Sequence, residues 1–206
     1  MTPPPVPPSS HASHVDVDLN AVGVPLEARE LFGRDAPLDV EIGSGKGRFL
    51  LELAREHPER NLLAVERAGK YQRLVCERAA KRGLGNVRLV RTSAEDLLLR
   101  LLPAATVENL YVLFPDPWPK KRHHKRRLFS PDTAAAMRSG LVPGGRLLVK
   151  TDHPDYATVI AEVMAASAGW RPLDAVEAFA ELPLTGFEVK YRHQGRPIAA
   201  FAWAKA

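Results

Sequence analysis

Short apolar runs in this chain alternate with longer stretches in which apolar residues recur at helical spacing. Leu38–Ile42, Asn61–Val65, Val87–Val90, Leu110–Phe114 and Arg146–Lys150 each read as a buried strand. Between the first two, Lys46–His57 places Phe49, Leu50, Leu53 and Ala54 on one helical face and stops at Pro58. Lys70–Arg82 repeats the pattern with Tyr71, Leu74, Val75 and Ala79. A shorter helix is predicted around Ala94–Leu102, another from the Ser130-Pro131 cap pair to Gly140, and another over Pro154–Gly169. Two more strand candidates follow, around Arg171–Val176 and Ile198–Ala204, and a short helix before Ala36 is expected to pack on the domain edge. Strands alternating with helices predict a doubly wound α/β domain, a parallel sheet with helices on both faces.

The 206 residues, 45% of them hydrophobic, suit one domain with a sizeable core, here residues 16–206. Residues 1–15 are rich in Pro and Ser and read as a disordered tail. That tail has no basic segment followed by an apolar one, so a signal peptide is not expected. The most apolar window, Leu97–Val107, is short and interrupted by Arg100 and Pro103, which argues against a membrane span. The single cysteine, Cys76, allows neither an internal disulfide nor a cysteine zinc cluster, and a cytoplasmic protein is expected. His11, His14 and His193 form no ligand pattern, so no metal site is predicted.

Charge changes the picture more than composition does. The formal net charge is +5, and Lys120–Arg127 alone contributes +6, which leaves −1 for the rest of the chain. Such a local basic block predicts a phosphate-bearing partner that touches one place.

The segment VEIGSGKG lies at the first strand-to-helix junction, where glycine turns bind ligands in doubly wound sheets. A P-loop fails because Val40 stands where the first glycine belongs and Gly47 follows Lys46. A dinucleotide fingerprint fails because Gly43, Gly45 and Gly47 are spaced G-x-G-x-G. Glu41 would repel a pyrophosphate but suits a ligand with an ammonium group. S-adenosyl-L-methionine has an ammonium, a sulfonium and a carboxylate, and no phosphate. Glu66, 19 residues past Gly47, ends the second strand, where it can accept both ribose hydroxyls. Taken singly, Glu41 also reads as a half-exposed strand acid and Glu66 as a partner of Arg67; together, framing the glycines, they favour the cofactor.

After the fourth strand comes FPDPWPKKRHHKRRLF. In a doubly wound sheet this loop faces the crevice that holds the ligand. Pro115 and Pro117 stiffen the backbone around Asp116, Trp118 is available to stack on a base, and Lys120–Arg127 suits the phosphates of a polymer carrying that base. One rigid segment then sets which nucleotide reaches the methyl group.

FPDPWPKKRHHKRR, together with EIGSGKG, the TDH at Thr151–His153 and the TGFE at Thr185–Glu188, strongly resembles the bacterial tRNA (guanine-N7-)-methyltransferases from about Leu38 to the C-terminus. The resemblance implies a Rossmann-like methyltransferase fold with a mostly parallel, seven-stranded sheet. It implies S-adenosyl-L-methionine as cofactor, held by Glu41, Gly43, Gly45, Glu66, Ser93 and Asp116. That family usually has an acid or amide where Ser93 stands, so the adenine contact falls to Ser93, Glu95 or Asp96. It implies tRNA as partner, with substrate contacts at Lys120, Asp152, Thr185 and Glu188 and phosphate contacts at Lys121, Arg122, Lys125, Arg126 and Arg127. Asp116 would be the catalytic residue. Guanine N7 has a lone pair and no proton to lose, so the chemistry asks for positioning and electrostatics, not a strong base. Glu188 or Asp152 would match the two donors of the guanine Watson–Crick edge, although TGFE by itself reads as an ordinary turn. Two rivals stand beside this reading. One is methylation of an exocyclic amino group, because DPW resembles the D-P-P-aromatic loop of such enzymes. The other is a cofactor-free RNA-binding module on the same fold. Both a monomer and a homodimer are compatible with the sequence.

Overall fold

The short apolar runs become largely buried strands, with Leu38–Ile42 and Asn61–Val65 buried along their whole length, because helices cover both faces of the sheet. The computed structural model describes residues 14–206, so the Pro/Ser-rich stretch up to Ser13 lies outside the described residues. Val15, assigned to the tail by sequence, is buried and its carbonyl accepts from Leu89 N, so the domain begins before it.

In chain order the elements are β1 (Asp16–Val17), α1 (Ala28–Phe32), β2 (Leu38–Ile42), α2 (Arg48–Glu56), β3 (Asn61–Val65), α3 (Gly69–Lys81), β4 (Val87–Val90) and α4 (Ala94–Asp96). A π-helical turn, Leu97–Leu101, leads to β5 (Val107–Leu113), and a 3₁₀ helix spans Lys121–Arg126. Then come α5 (Pro131–Gly140), β6 (Leu141–Thr151), α6 (Pro154–Ala166), β7 (Trp170–Pro172), α7 (Ala175–Phe179), α8 (Gly186–His193) and β8 (Ala199–Lys205). The sheet order is β1-β4-β3-β2-β5-β6-β8-β7. The first six are parallel; β8 runs antiparallel to β6 and β7 antiparallel to β8. From β2 the chain winds outward to β3 and β4, and from β5 it winds the other way. The crevice of the fold therefore opens between the C-terminal ends of β2 and β5.

The sheet has eight strands, not the seven implied by resemblance, because the two-residue β1 adds to the edge beside β4. The Arg171–Val176 strand prediction holds only at its start. Asp174 Oδ1 accepts from Val176 N (2.7 Å) and Glu177 N (3.1 Å), and this cap turns the chain into α7. The TGFE segment is not a plain turn either. Thr185 Oγ1 accepts from Glu188 N at 2.9 Å and starts α8. Ser130 and Thr133 form the reciprocal cap of α5, with Pro131 in the first turn.

The two acids of β2 share a face, since residues two apart in a strand point the same way. Asp39, 2% exposed, is fully compensated: Arg60 grips it through Nε (2.9 Å) and Nη2 (2.7 Å), and Asn109 Nδ2 donates to it at 2.7 Å. Arg146 Nε in turn fixes the Asn109 amide oxygen at 2.7 Å. This network clamps β2, β3 and β5 at the end of the sheet away from the crevice. Asp39→Ala leaves the Asn109 amide without its acceptor and reduces the partly buried Arg60 guanidinium to one carboxylate partner, Glu108, at 2.8 Å. Stability should fall by about 3 kcal/mol, measured by urea unfolding; a loss under about 1 kcal/mol would mean that the network is not a clamp.

Candidate active site

Gly43, Gly45 and Gly47 all have positive φ, at 80°, 53° and 74°, so the turn between β2 and α2 is built from left-handed backbone. At Gly47 space is also short: a Cβ would lie 2.7 Å from a Val75 methyl of α3. The N–H groups of Gly43 and Ser44 donate to Val65 O at 2.9 and 3.3 Å, which ties the turn to the end of β3. Glu66 completes the tie. Its Oε2 accepts from Gly45 N at 2.9 Å and its Oε1 from Ala68 N at 2.7 Å. Each oxygen keeps a further lone pair for a ligand hydroxyl.

Glu41, two residues past Asp39 on the same face, has no such compensation. It is 4% exposed, and its Oε2 has no hydrogen-bond partner among the described residues. Burial first, and the nearby Glu66 second, push its carboxyl up to about 8. Ser44 Oγ beside it is likewise buried and unpartnered. A cavity of about 320 Å3 opens here, within the size range of small-molecule sites. Glu41, Ser44 and Phe49 line it together with Thr185, Phe187 and Lys190 of the α8 region.

The loop after β5 is held in two strained places: Phe114 has φ 59° and Trp118 has φ 45°. Between them Asp116 is exposed, and among the described residues its carboxylate makes no hydrogen bond or ion pair. Trp118, predicted to stack on a base, is engaged within the loop. The Arg126 guanidinium lies 5.0 Å over its ring, and His123 meets it edge-on at 5.8 Å. Lys120, Lys121, Arg122, Lys125 and Arg126 are all exposed. Arg127 is not, and its assignment as a phosphate contact is corrected here. It is 8% exposed; Nε donates to Pro117 O at 2.8 Å, Nη2 bonds Asp155 Oδ2 at 2.5 Å, and its guanidinium lies 5.0 Å over the Tyr156 ring. Arg127 is the strut that fastens the proline loop to α6.

The remaining sequence-predicted residues have occupations of their own. Ser93 caps α4: its hydroxyl accepts from Asp96 N and donates to Asp96 Oδ2, both at 3.0 Å, which leaves one lone pair for a ligand. Asp152, after β6, is ion-paired with Arg196. Glu188 is 1% exposed; Oε1 accepts from Lys150 Nζ at 2.8 Å and from Arg192 Nη2 at 2.7 Å, while Oε2 is buried without a partner. The structure thus brings Glu41, the glycines and the Thr185 end of α8 around one cavity, with Glu66 bonded to the turn. Sequence reasoning missed Phe187 and Lys190 as cavity residues and Lys150 as the counter-ion of Glu188; the aromatic inside TGFE was the available signal. Among the described residues no three or more His, Cys, Asp or Glu side chains are grouped to hold a metal, and no helix is long and apolar enough to cross a membrane.

The chain matches a methyltransferase family model, described as "Putative methyltransferase", over residues 35–201. The tRNA (guanine-N(7)-)-methyltransferase of Mycobacterium avium is 39% identical over 193 residues, covering 91% of this chain and 74% of its own length. The protein of the same name from Nitrosomonas eutropha is 36% identical over 189 residues, covering 88% and 82%. Among solved structures, the 16S rRNA methyltransferase KamB superposes with a TM-score of 0.60 at 24% identity, over 86% of this chain and 92% of its own. TrmN from Thermus thermophilus superposes at 0.59 and 20% identity, over 87% of this chain and 47% of its own. The structures support the α/β fold alone; the sequence relatives and the family model go further. By that similarity and by the residues around its crevice, the chain belongs to the tRNA (guanine-N(7)-)-methyltransferase family.

Proposed function

We propose that this protein transfers the methyl group of S-adenosyl-L-methionine to N7 of the variable-loop guanine at position 46 of tRNA. The observation that carries the reading is Glu41, a buried carboxylate without a cation, beside a glycine turn and a cavity of about 320 Å3. A cofactor ammonium supplies the missing charge. Gly43 and Gly45 have no protein atom within 4 Å of where a Cβ would stand, so their backbone faces open space that a ligand can approach. Glu66 has lone pairs for ribose hydroxyls, and Ser93, Glu95 and Asp96 are the acceptors offered to the adenine amino group. The residues fit the cofactor.

When bound, S-adenosylmethionine supplies a methyl group already activated on a sulfonium. The chain's own task is placement. Guanine N7 presents a lone pair and gives up no proton, so Asp116, held between prolines, acts through orientation and through its negative charge as the purine ring becomes cationic. Lys120, Lys121, Arg122, Lys125 and Arg126 lie on the same segment and engage phosphates. Glu188 or Asp152 is the acceptor for the guanine N1–H and amine; for Glu188, 1% exposed, this requires the start of α8 to uncover Oε2. For Asp152 this requires guanine to share or displace Arg196.

Incubation with labelled cofactor and unmodified tRNA, followed by nuclease digestion and mass spectrometry, should locate the methyl on N7 of the variable-loop guanine. A methyl on an exocyclic nitrogen would replace this reading with the amino-group rival. No incorporation and no cofactor binding would leave an RNA-binding module.

Neutralising Lys121, Arg122 and Lys125 together should weaken tRNA binding and flatten its salt dependence. Each lost phosphate contact should lower the log–log slope by about 0.7–0.9, and cofactor affinity should stay within about twofold. An unchanged slope in a filter-binding titration would make the run a solvated face.

A further inference from the structure

Phe187 is half exposed, at 51%, and lines the same cavity as Glu41. It is the open end of an ordered stack. Its ring lies 5.8 Å from Tyr191 with 27° between planes, and the Arg196 guanidinium lies 4.2 Å from the Tyr191 ring centroid. Arg196 is also the residue ion-paired with Asp152. From the side, Phe114 meets Phe187 at 6.1 Å and Tyr191 at 5.6 Å. Phe114 directly precedes Pro115-Asp116 and holds its strained φ of 59° against these rings. The following residue, Glu188, keeps a buried oxygen without a partner.

Other candidates carry less. Trp118 is occupied by Arg126 and His123. Val176 and Leu99 are exposed but isolated apolar side chains, and nothing shows what would cover them. Cys76 is a buried thiol with no neighbouring chemistry to use it.

We infer that Phe187 is the stacking platform for the target guanine, which extends the Arg196–Tyr191–Phe187 column by one ring at the mouth of the cofactor cavity. The inference rests on the proposed methyl transfer to a guanine. A flat aromatic base buries the exposed Phe187 face and gains stacking that an aliphatic residue does not offer. Phe187 also belongs to the same helix start as Glu188. A base seated on it is brought near the Asp116 loop, because Phe114 of that loop packs against Phe187.

The test compares Phe187→Ala, Phe187→Leu and Phe187→Trp in the full chain, with tRNA methylation kinetics, cofactor affinity and thermal melting. The Ala and Leu variants should lose about tenfold or more in kcat/KM for tRNA, the Trp variant should stay within about threefold of wild type, and cofactor affinity should hold in all three. Leu retains most of the volume without a π face, so an active, well-folded Leu variant overturns the inference and makes Phe187 a packing residue. Equal loss of cofactor affinity in Ala and Leu overturns it as well. Wild-type protein that fails to methylate guanine N7 refutes the underlying function instead, and this control is read before any variant.

Discussion

A buried carboxylate without a cation is the constraint on which this site depends. Two acids stand on one face of β2, and the fold treats them in opposite ways. Asp39 receives a guanidinium and an amide from neighbouring strands, whereas Glu41 receives neither. An isolated ionised carboxylate is too costly to bury, so the ligand-free protein keeps Glu41 protonated well above the ordinary carboxylate range. The unfolded chain ionises it at its normal value. Ligand-free stability therefore declines as pH rises from about 4.5 toward about 8, because there the folded state binds the extra proton. A cationic ligand removes that penalty. On the proposed reading the site thereby favours a ligand with a positive charge.

The second constraint is rigidity between chemistry and anchoring. Asp116 and the basic 3₁₀ helix are separated by a handful of residues with fixed prolines, and Arg127 fastens this segment to α6 through Asp155 and Tyr156. Turning one guanidinium inward leaves Lys120, Lys121, Arg122, Lys125 and Arg126 as the exposed cations of the run. The exposed cations hold a constant position relative to the crevice. Phe114, at the start of the same loop, packs against Phe187 and Tyr191 of α8.

Much of the fold was readable because buried parallel strands are continuous apolar runs: Leu38–Ile42, Asn61–Val65 and Val87–Val90 appear with the bounds their sequence suggested. β1 was not readable, since a two-residue strand has no period. α7 and α8 were lost to a strand and a turn, yet both carried cap signals. Asp174 precedes its helix, and Thr185 stands three residues before Glu188, the usual signature of a reciprocal cap. In α8 only half of that cap forms, because Glu188 turns to Lys150. In the site, Glu41, Glu66 and the glycines were legible from chemistry alone. Which cation of Lys120–Arg127 points inward was not, because six similar charges differ only in the packing that the folded loop imposes on them. The counter-ions of Asp152 and Glu188 were hidden for a related reason: Arg196 and Lys150 are distant from them in sequence or on another element.

On the proposed reading, Glu41 gives up its proton when a cationic cofactor enters. Calorimetric titration of S-adenosylmethionine at pH 6.5, in buffers of different ionisation enthalpy, measures this directly, because the cofactor amine is already protonated there. Wild-type protein should release about one proton per cofactor bound, and Glu41→Gln should release almost none. Binding without proton release in the wild type, or equal release in both proteins, would contradict the account.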